Sequence, residues 1–133
     1  MKKVNLEISD IDALSRLSHD AVVLIMSIFP PKNSEISSKI REESEFPIRW
    51  DFDYKNQLFE WVVSAMGSIT LRLGAIDGTK KSQPPVFYLS IGKYEGDRYL
   101  WEDLDGNPIN NLEEQLEKIV LEKINLYFLS SLN

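Results

Sequence analysis

The sequence predicts an α+β fold: an antiparallel β-meander of about five strands, with an N-terminal and a C-terminal helix packed on one face. Three observations carry this. Apolar residues recur at helical spacing near both ends of the chain, they alternate with polar residues through the middle, and helices and strands are not interleaved. A parallel sheet would need that interleaving. The 133 residues suit a single domain, 1–133, with one core. Apolar residues make up 43% and charged residues 27% of the chain, a globular rather than a disordered composition.

Val4, Leu6 and Ile8 alternate with polar neighbours, which predicts a short strand or an extended arm. Ser9 or Asp10 then caps a helix, and Asp12 places negative charge in its first turn. Ile11, Leu14, Leu17, Ala21, Leu24, Ile25 and Ile28 share one helical face. From Ala21 onward this helix is apolar nearly all round, so its second half is expected to be buried, and Pro30-Pro31 ends it. Residues 32–45 are polar apart from Ile36 and Ile40, which fits either a short surface helix or a mobile loop.

The middle of the chain reads as strands. Ile48, Trp50, Phe52 and Tyr54 alternate with Arg49, Asp51 and Asp53. Phe59, Trp61, Val63 and Ala65 alternate on the next segment, and Ile69, Leu71, Leu73 and Ala75 on the third. A two-residue turn at Lys55-Asn56, where Asn tolerates positive φ, sets Phe52 opposite Phe59, Trp50 opposite Trp61 and Ile48 opposite Val63. Every large apolar residue of the hairpin then falls on one face, and a one-residue slip would destroy that agreement. A three-residue loop containing Gly67 is expected to pair Ala65 with Ile69, Val63 with Leu71 and Trp61 with Leu73.

The composition of residues 77–85 is that of a loop. Val86 to Ile91 is a fourth strand and Arg98 to Asp103 a fifth, joined around Glu95-Gly96 in a register the sequence leaves open. Asn110 is expected to cap the final helix, with Glu113 completing a capping box. Its buried stripe is Leu112, Leu116, Val120, Ile124 and Phe128, flanked by Ile119 and Tyr127, with Glu114 and Lys118 paired on the wet face.

Chemistry is mostly bounded by what is missing from the sequence. There are no cysteines, so there is no disulfide framework, thiol nucleophile or cysteine zinc site. The one histidine, His19, has Ser15 four residues before it but no carboxylate placed to orient its ring. Gly78-Thr79-Lys80 lacks the preceding spacing of a phosphate-binding loop. Asp103-Leu104-Asp105-Gly106-Asn107 puts its glycine fourth, where a calcium loop needs it sixth, and so reads as an acidic turn. No cofactor, metal or catalytic activity is expected. After Lys2 and Lys3 no apolar leader follows, and the longest apolar run, Ala21 to Phe29, is too short to span a bilayer. The chain is therefore read as cytoplasmic.

Two groups of acidic residues stand out. In the first hairpin Asp51 lies opposite Glu60, with Asp53 two residues along on the same face. Like charges across a ladder are destabilising, so such a pair suits acid–base or metal chemistry, a partner's cations, or a solvated face compensated by Arg49 and Arg72. The second group dominates the charge map. The chain carries a net charge of −6. Between Glu95 and Glu122 lie Glu95, Asp97, Glu102, Asp103, Asp105, Glu113, Glu114, Glu117 and Glu122, against only Arg98 and Lys118, so the net charge is local. Tyr99 and Trp101 sit among these acids. Acids for steering and rings for a buried centre are what a site for a basic protein surface needs. The expected contact set is Glu95, Asp97, Tyr99, Trp101, Glu102, Asp103, Asp105, Glu113 and Glu117, together with Asp51, Asp53 and Glu60. The same acidity disfavours direct binding to nucleic acid or to an anionic membrane.

In size, low pI, freedom from cysteine and α+β meander, the chain resembles the small acidic immunity proteins that bacteria make against contact-dependent or secreted toxins. The resemblance is one of class, carried by no residue motif. It implies a non-enzymatic inhibitor whose partner is a toxin domain, often a basic nuclease, occluded at its active or substrate surface. The chain also resembles type III-like secretion chaperones in size, acidity and terminal helices. Those place a helix in mid-sheet, which this pattern lacks, and they dimerise around an apolar effector segment. A phage anti-defence protein that mimics DNA is a third reading. Charge and pattern leave monomer and homodimer equally open.

Overall fold

The computed structural model describes residues 2–31, 46–74 and 85–131. The polar stretch 32–45 and most of the 77–85 loop lie outside the described residues. Six strands and two helices are described, and the α+β prediction holds: an antiparallel sheet with a helix at each end of the chain.

Only Lys3–Val4 of the N-terminal arm is strand, β1. The alternation through Ile8 stops short because Ile8–Asp10 form a 3-10 turn. Helix α1, Ile11–Ile28, follows directly and buries Leu14, Ser18, Ala21, Val22, Ile25 and Met26. Asp10 occupies the capping position, but its backbone is already helical and its side chain makes no cap bond to α1. Instead that carboxylate accepts from the Glu7 N–H at 2.7 Å, closing the 3-10 turn. The helix ends as predicted, where Phe29 donates to the Ile25 carbonyl just before Pro30.

Strands β2, Ile48–Tyr54, and β3, Gln57–Ser64, pair in the predicted register, with Trp50 opposite Trp61 and Phe52 opposite Phe59. Lys55 and Asn56 both have positive φ, as a two-residue hairpin turn requires. Strand β4, Ser68–Leu73, corrects the second expected register by two residues: Val63 faces Ile69, Trp61 faces Leu71 and Phe59 faces Leu73. The turn is residues 65–67, with Gly67 last and at φ +84°. A three-residue hairpin loop wants its left-handed residue at the end, which moves the closing pair back to Ser64 and Ser68. Their hydroxyls hydrogen-bond at 2.7 Å. A slip of two keeps every side chain on its face, so the core is unchanged.

Strand β5, Phe87–Tyr94, runs three residues beyond the predicted end, and β6, Arg98–Glu102, turns back along it with Tyr94 opposite Arg98. Ser90 pairs with both Ser68 and Glu102, and Lys93 with both Val4 and Tyr99. Strand β1 therefore lies on the β4 side of β5, where β4 has ended. Helix α2, Leu112–Ser131, begins one residue later than a cap at Asn110 would place it. Asn111 precedes it at positive φ, and its carbonyl accepts from the Glu114 and Gln115 N–H groups.

One face of the sheet carries the core. Ile48, Trp50, Phe52, Phe59, Trp61, Val63, Ile69, Leu71, Phe87 and Leu89 are buried in one cluster with Ile25 and Phe29 of the first helical segment and Leu116, Val120 and Ile124 of α2. The Trp50 and Trp61 rings stack 6.2 Å apart, and Phe29 lies 5.6 Å from Trp61. Trp50 donates to the Phe29 carbonyl at 3.4 Å, whereas the buried Trp61 indole N–H finds no acceptor. On the other face Arg49, Asp51 and Asp53 are exposed and Glu60, Val62, Thr70 and Tyr88 half-buried.

Trp50 is 3% and Trp61 0% exposed. Replacing either by Ala leaves a large cavity, and urea unfolding should show a loss of about 3–5 kcal/mol. Trp61→Phe should cost distinctly less than Trp61→Ala, because the indole N–H it removes has no partner to lose.

Candidate functional site

Successive side chains of β5 point to opposite faces of the sheet, and its last two residues, Lys93 and Tyr94, each reach a buried carboxylate. On the helix-bearing face the carboxylate is Asp10, only 3% exposed. It accepts from the Tyr99 hydroxyl, from Lys93 Nζ at 3.0–3.1 Å and from the Glu7 N–H. The Tyr99 hydroxyl first, then the Glu7 N–H and the Lys93 ammonium, hold the Asp10 pKa down at about 2, against the ordinary 3.8, although burial opposes this. The same contact raises the pKa of Tyr99 and that of Lys93.

On the opposite face the carboxylate is Glu102, 2% exposed. It accepts from the Tyr94 hydroxyl and from Lys3 Nζ at 2.7 Å. The hydrogen bond to Glu102 raises the pKa of Tyr94. Gly92 makes the space: a Cβ there would come within 2.5 Å of the Glu102 carboxyl carbon. Each cluster is thus a carboxylate held by one phenol and one ammonium, with its donors on β5, β6 and the N-terminal arm. Both oxygens of each carboxylate are engaged in these contacts, which tie the strands and the arm together.

This geometry redistributes the residues expected to form one contact set. Glu102 is not an exposed steering charge, because it is the centre of the outer cluster. Tyr99 and Trp101 are half-buried and share the helix-facing side of β6; Tyr99 bonds Asp10, and Trp101 packs against the core. Asp103 is also half-buried. Its carboxylate accepts from the Asp105 and Asn107 N–H groups, each at 2.9 Å, which fixes the turn. Those bonds, the Asn107 N–H foremost, lower its pKa, with the Lys123 ammonium adding to the shift.

Glu95, Asp97, Asp105, Glu113 and Glu117 are exposed. Glu95 and Asp97 sit at the β5–β6 turn, where Asp97 lies 3.7 Å from Lys93. Asp105, Glu113 and Glu117 lie beyond the other end of β6, with Glu114 and Glu122 also exposed on α2. Asp51, Asp53 and Glu60 are far from both groups. Strand β3 is three strand spacings from β6, about 14 Å. Asp51 does face Glu60, but Glu60 is ion-paired with Arg72, whose Nε lies at 2.7 Å. The structure therefore brings together the turn-and-helix acids and leaves the hairpin-tip and β2–β3 acids apart.

Among the described residues no group of three His, Asp or Glu side chains is gathered as a metal site. No described helix is long and apolar enough to cross a membrane. Comparison of the chain with protein-family models, with curated proteins and with solved structures finds no match.

Two outcomes follow from the clusters. A carboxylate whose folded pKa lies below its unfolded value adds stability above that unfolded value, and loses it as pH falls through the folded one. The stability gap between wild type and Asp10→Asn should therefore be widest at neutral pH. It should close as pH falls from 3.8 to about 2, as read by chemical denaturation across that range. Gly92→Ala should displace Glu102 from Tyr94 and Lys3 and cost about 1–3 kcal/mol. A loss no larger than that of an exposed strand glycine would show that the carboxylate can move freely.

Proposed function

We propose that this chain is a non-catalytic acidic inhibitor of the immunity type. It acts in the cytoplasm and neutralises a toxin domain with a basic surface, a nuclease being favoured, by covering the active or substrate-binding surface. The observation that carries the reading is the grouping of exposed acids on the 103–107 turn and the first half of α2. Asp105, Glu113, Glu114, Glu117 and Glu122 stand there with Lys118 and Lys123 as the neighbouring cations. Three cations elsewhere are ion-paired: Lys3 with Glu102, Lys93 with Asp10, Arg72 with Glu60. The field of this turn and helix is negative, which favours fast encounter with a positive surface. Inhibition by coverage asks for no reactive group on the inhibitor, and the two buried carboxylates are engaged by donors of the chain itself.

Affinity capture from the native host, with the partner identified by mass spectrometry, should return a basic domain. With that domain in hand, Asp105→Lys, Glu113→Lys and Glu117→Lys together should slow association about tenfold at low salt and flatten its salt dependence. Reversal of Asp12, Asp20 and Glu43, none of them in the expected contact set, is the control. Equal effects from both triples would mean that generic net charge, not this surface, drives association. Folding should be nearly unchanged in either triple, since exposed substitutions usually cost within about 0.5 kcal/mol.

A further inference from the structure

We propose that two copies of this chain pair antiparallel through the outer edge of β2, about a two-fold axis at Trp50, to form a dimer with one continuous sheet. The inference is independent of the inhibitor reading.

Strand β2 is seven residues long and, among the described strands, pairs with β3 alone. Its outward backbone groups follow from the hairpin. In a two-residue hairpin the pair flanking the turn, here Tyr54 and Gln57, exchanges both ladder hydrogen bonds. Alternation then turns the N–H and C=O groups of Arg49 and Asp51 away from β3, toward the edge. The side chains at these two positions are exposed and opposite in sign.

A charged edge normally repels a foreign strand. A two-fold axis at Trp50 makes these charges an address instead. It sets Arg49 opposite the partner's Asp51 and Asp51 opposite the partner's Arg49, with about four ladder hydrogen bonds between them. Ile48 then faces the partner's Phe52 on the core side. An axis one residue further along would set Asp51 opposite the partner's Asp51, two like charges in direct register, which disfavours it. The parity of the strand excludes the intermediate slip, since it would put Arg49 opposite the partner's buried-face residues. Charge and backbone direction therefore agree on one register and one occupant, a second copy.

Sedimentation velocity on the full chain between about 1 μM and 1 mM, a range that reads weak pairing, should show a reversible monomer–dimer equilibrium. Arg49→Asp should raise the dissociation constant about tenfold or more, because it places like charges opposite each other twice. The exchange Arg49→Asp with Asp51→Arg should restore pairing to within about threefold. Asp51→Pro should also abolish pairing while the monomer stays folded by circular dichroism, because the N–H it removes points away from β3. If that variant fails to fold, the charge exchange decides. A monomer throughout the range overturns the proposal, as does a dimer indifferent to Arg49→Asp and unrescued by the exchange.

Discussion

The strict alternation of the β2–β3 hairpin is the constraint on which the rest of the structure depends. With Trp50 opposite Trp61 and Phe52 opposite Phe59, four large aromatic side chains enter the core from two adjacent strands. A slip of one residue would exchange them for Asp51, Glu60 and Arg49, and no helix could pack on such a surface. Both helices answer to that aromatic floor. Phe29 at the end of α1 packs against Phe52 and Trp61, and Phe128 of α2 packs edge-on against Phe59. The unsatisfied Trp61 indole N–H is a cost of roughly 1–3 kcal/mol that the burial of its rings must outweigh.

At the other side of the sheet the structure is held by polar pairs instead of rings. Lys93 and Tyr94 are adjacent in sequence, yet each reaches a buried carboxylate on a different face. Asp10 ties the start of α1 to β5 and β6 from one side, and Glu102 ties β6 to the N-terminal arm from the other. A strand as short as β1 contributes little pairing of its own, so Lys3 and Asp10 fix its place. Because both carboxylates are committed to this work, neither adds to the negative charge presented by the 103–107 turn and α2.

The elements and the first hairpin were legible in the sequence because period-2 alternation and a positive-φ turn agree there. The second hairpin was legible only to its faces. Placing Gly67 anywhere within a three-residue loop satisfies composition, but only Gly67 at the loop's end satisfies its left-handed backbone. The candidate site was less visible. Glu102 belongs by sequence to a charged run, and nothing local marks it as buried, since its partners are Lys3 and Tyr94. Tyr99 and Trp101 share one parity and Glu102 the other, but with the register of the last hairpin open, neither face could be assigned. Gly92, which the sequence reading left just beyond the fourth strand, lies inside β5, where Glu102 approaches it closely.

The placement of β1 also sets an order of events. The Lys3–Glu102, Asp10–Lys93 and Asp10–Tyr99 contacts join residues 99, 83 and 89 positions apart. Every side chain that holds the arm lies on β5 or β6, far along the chain. Such distant closures carry the largest loop entropy and come late in folding. Until β5 and β6 have paired, Asp10 lacks its Lys93 and Tyr99 contacts, while the far end of α1 can already pack on the β2–β3 hairpin through Phe29. The start of α1 and the arm before it are therefore among the last parts of the fold to be fixed.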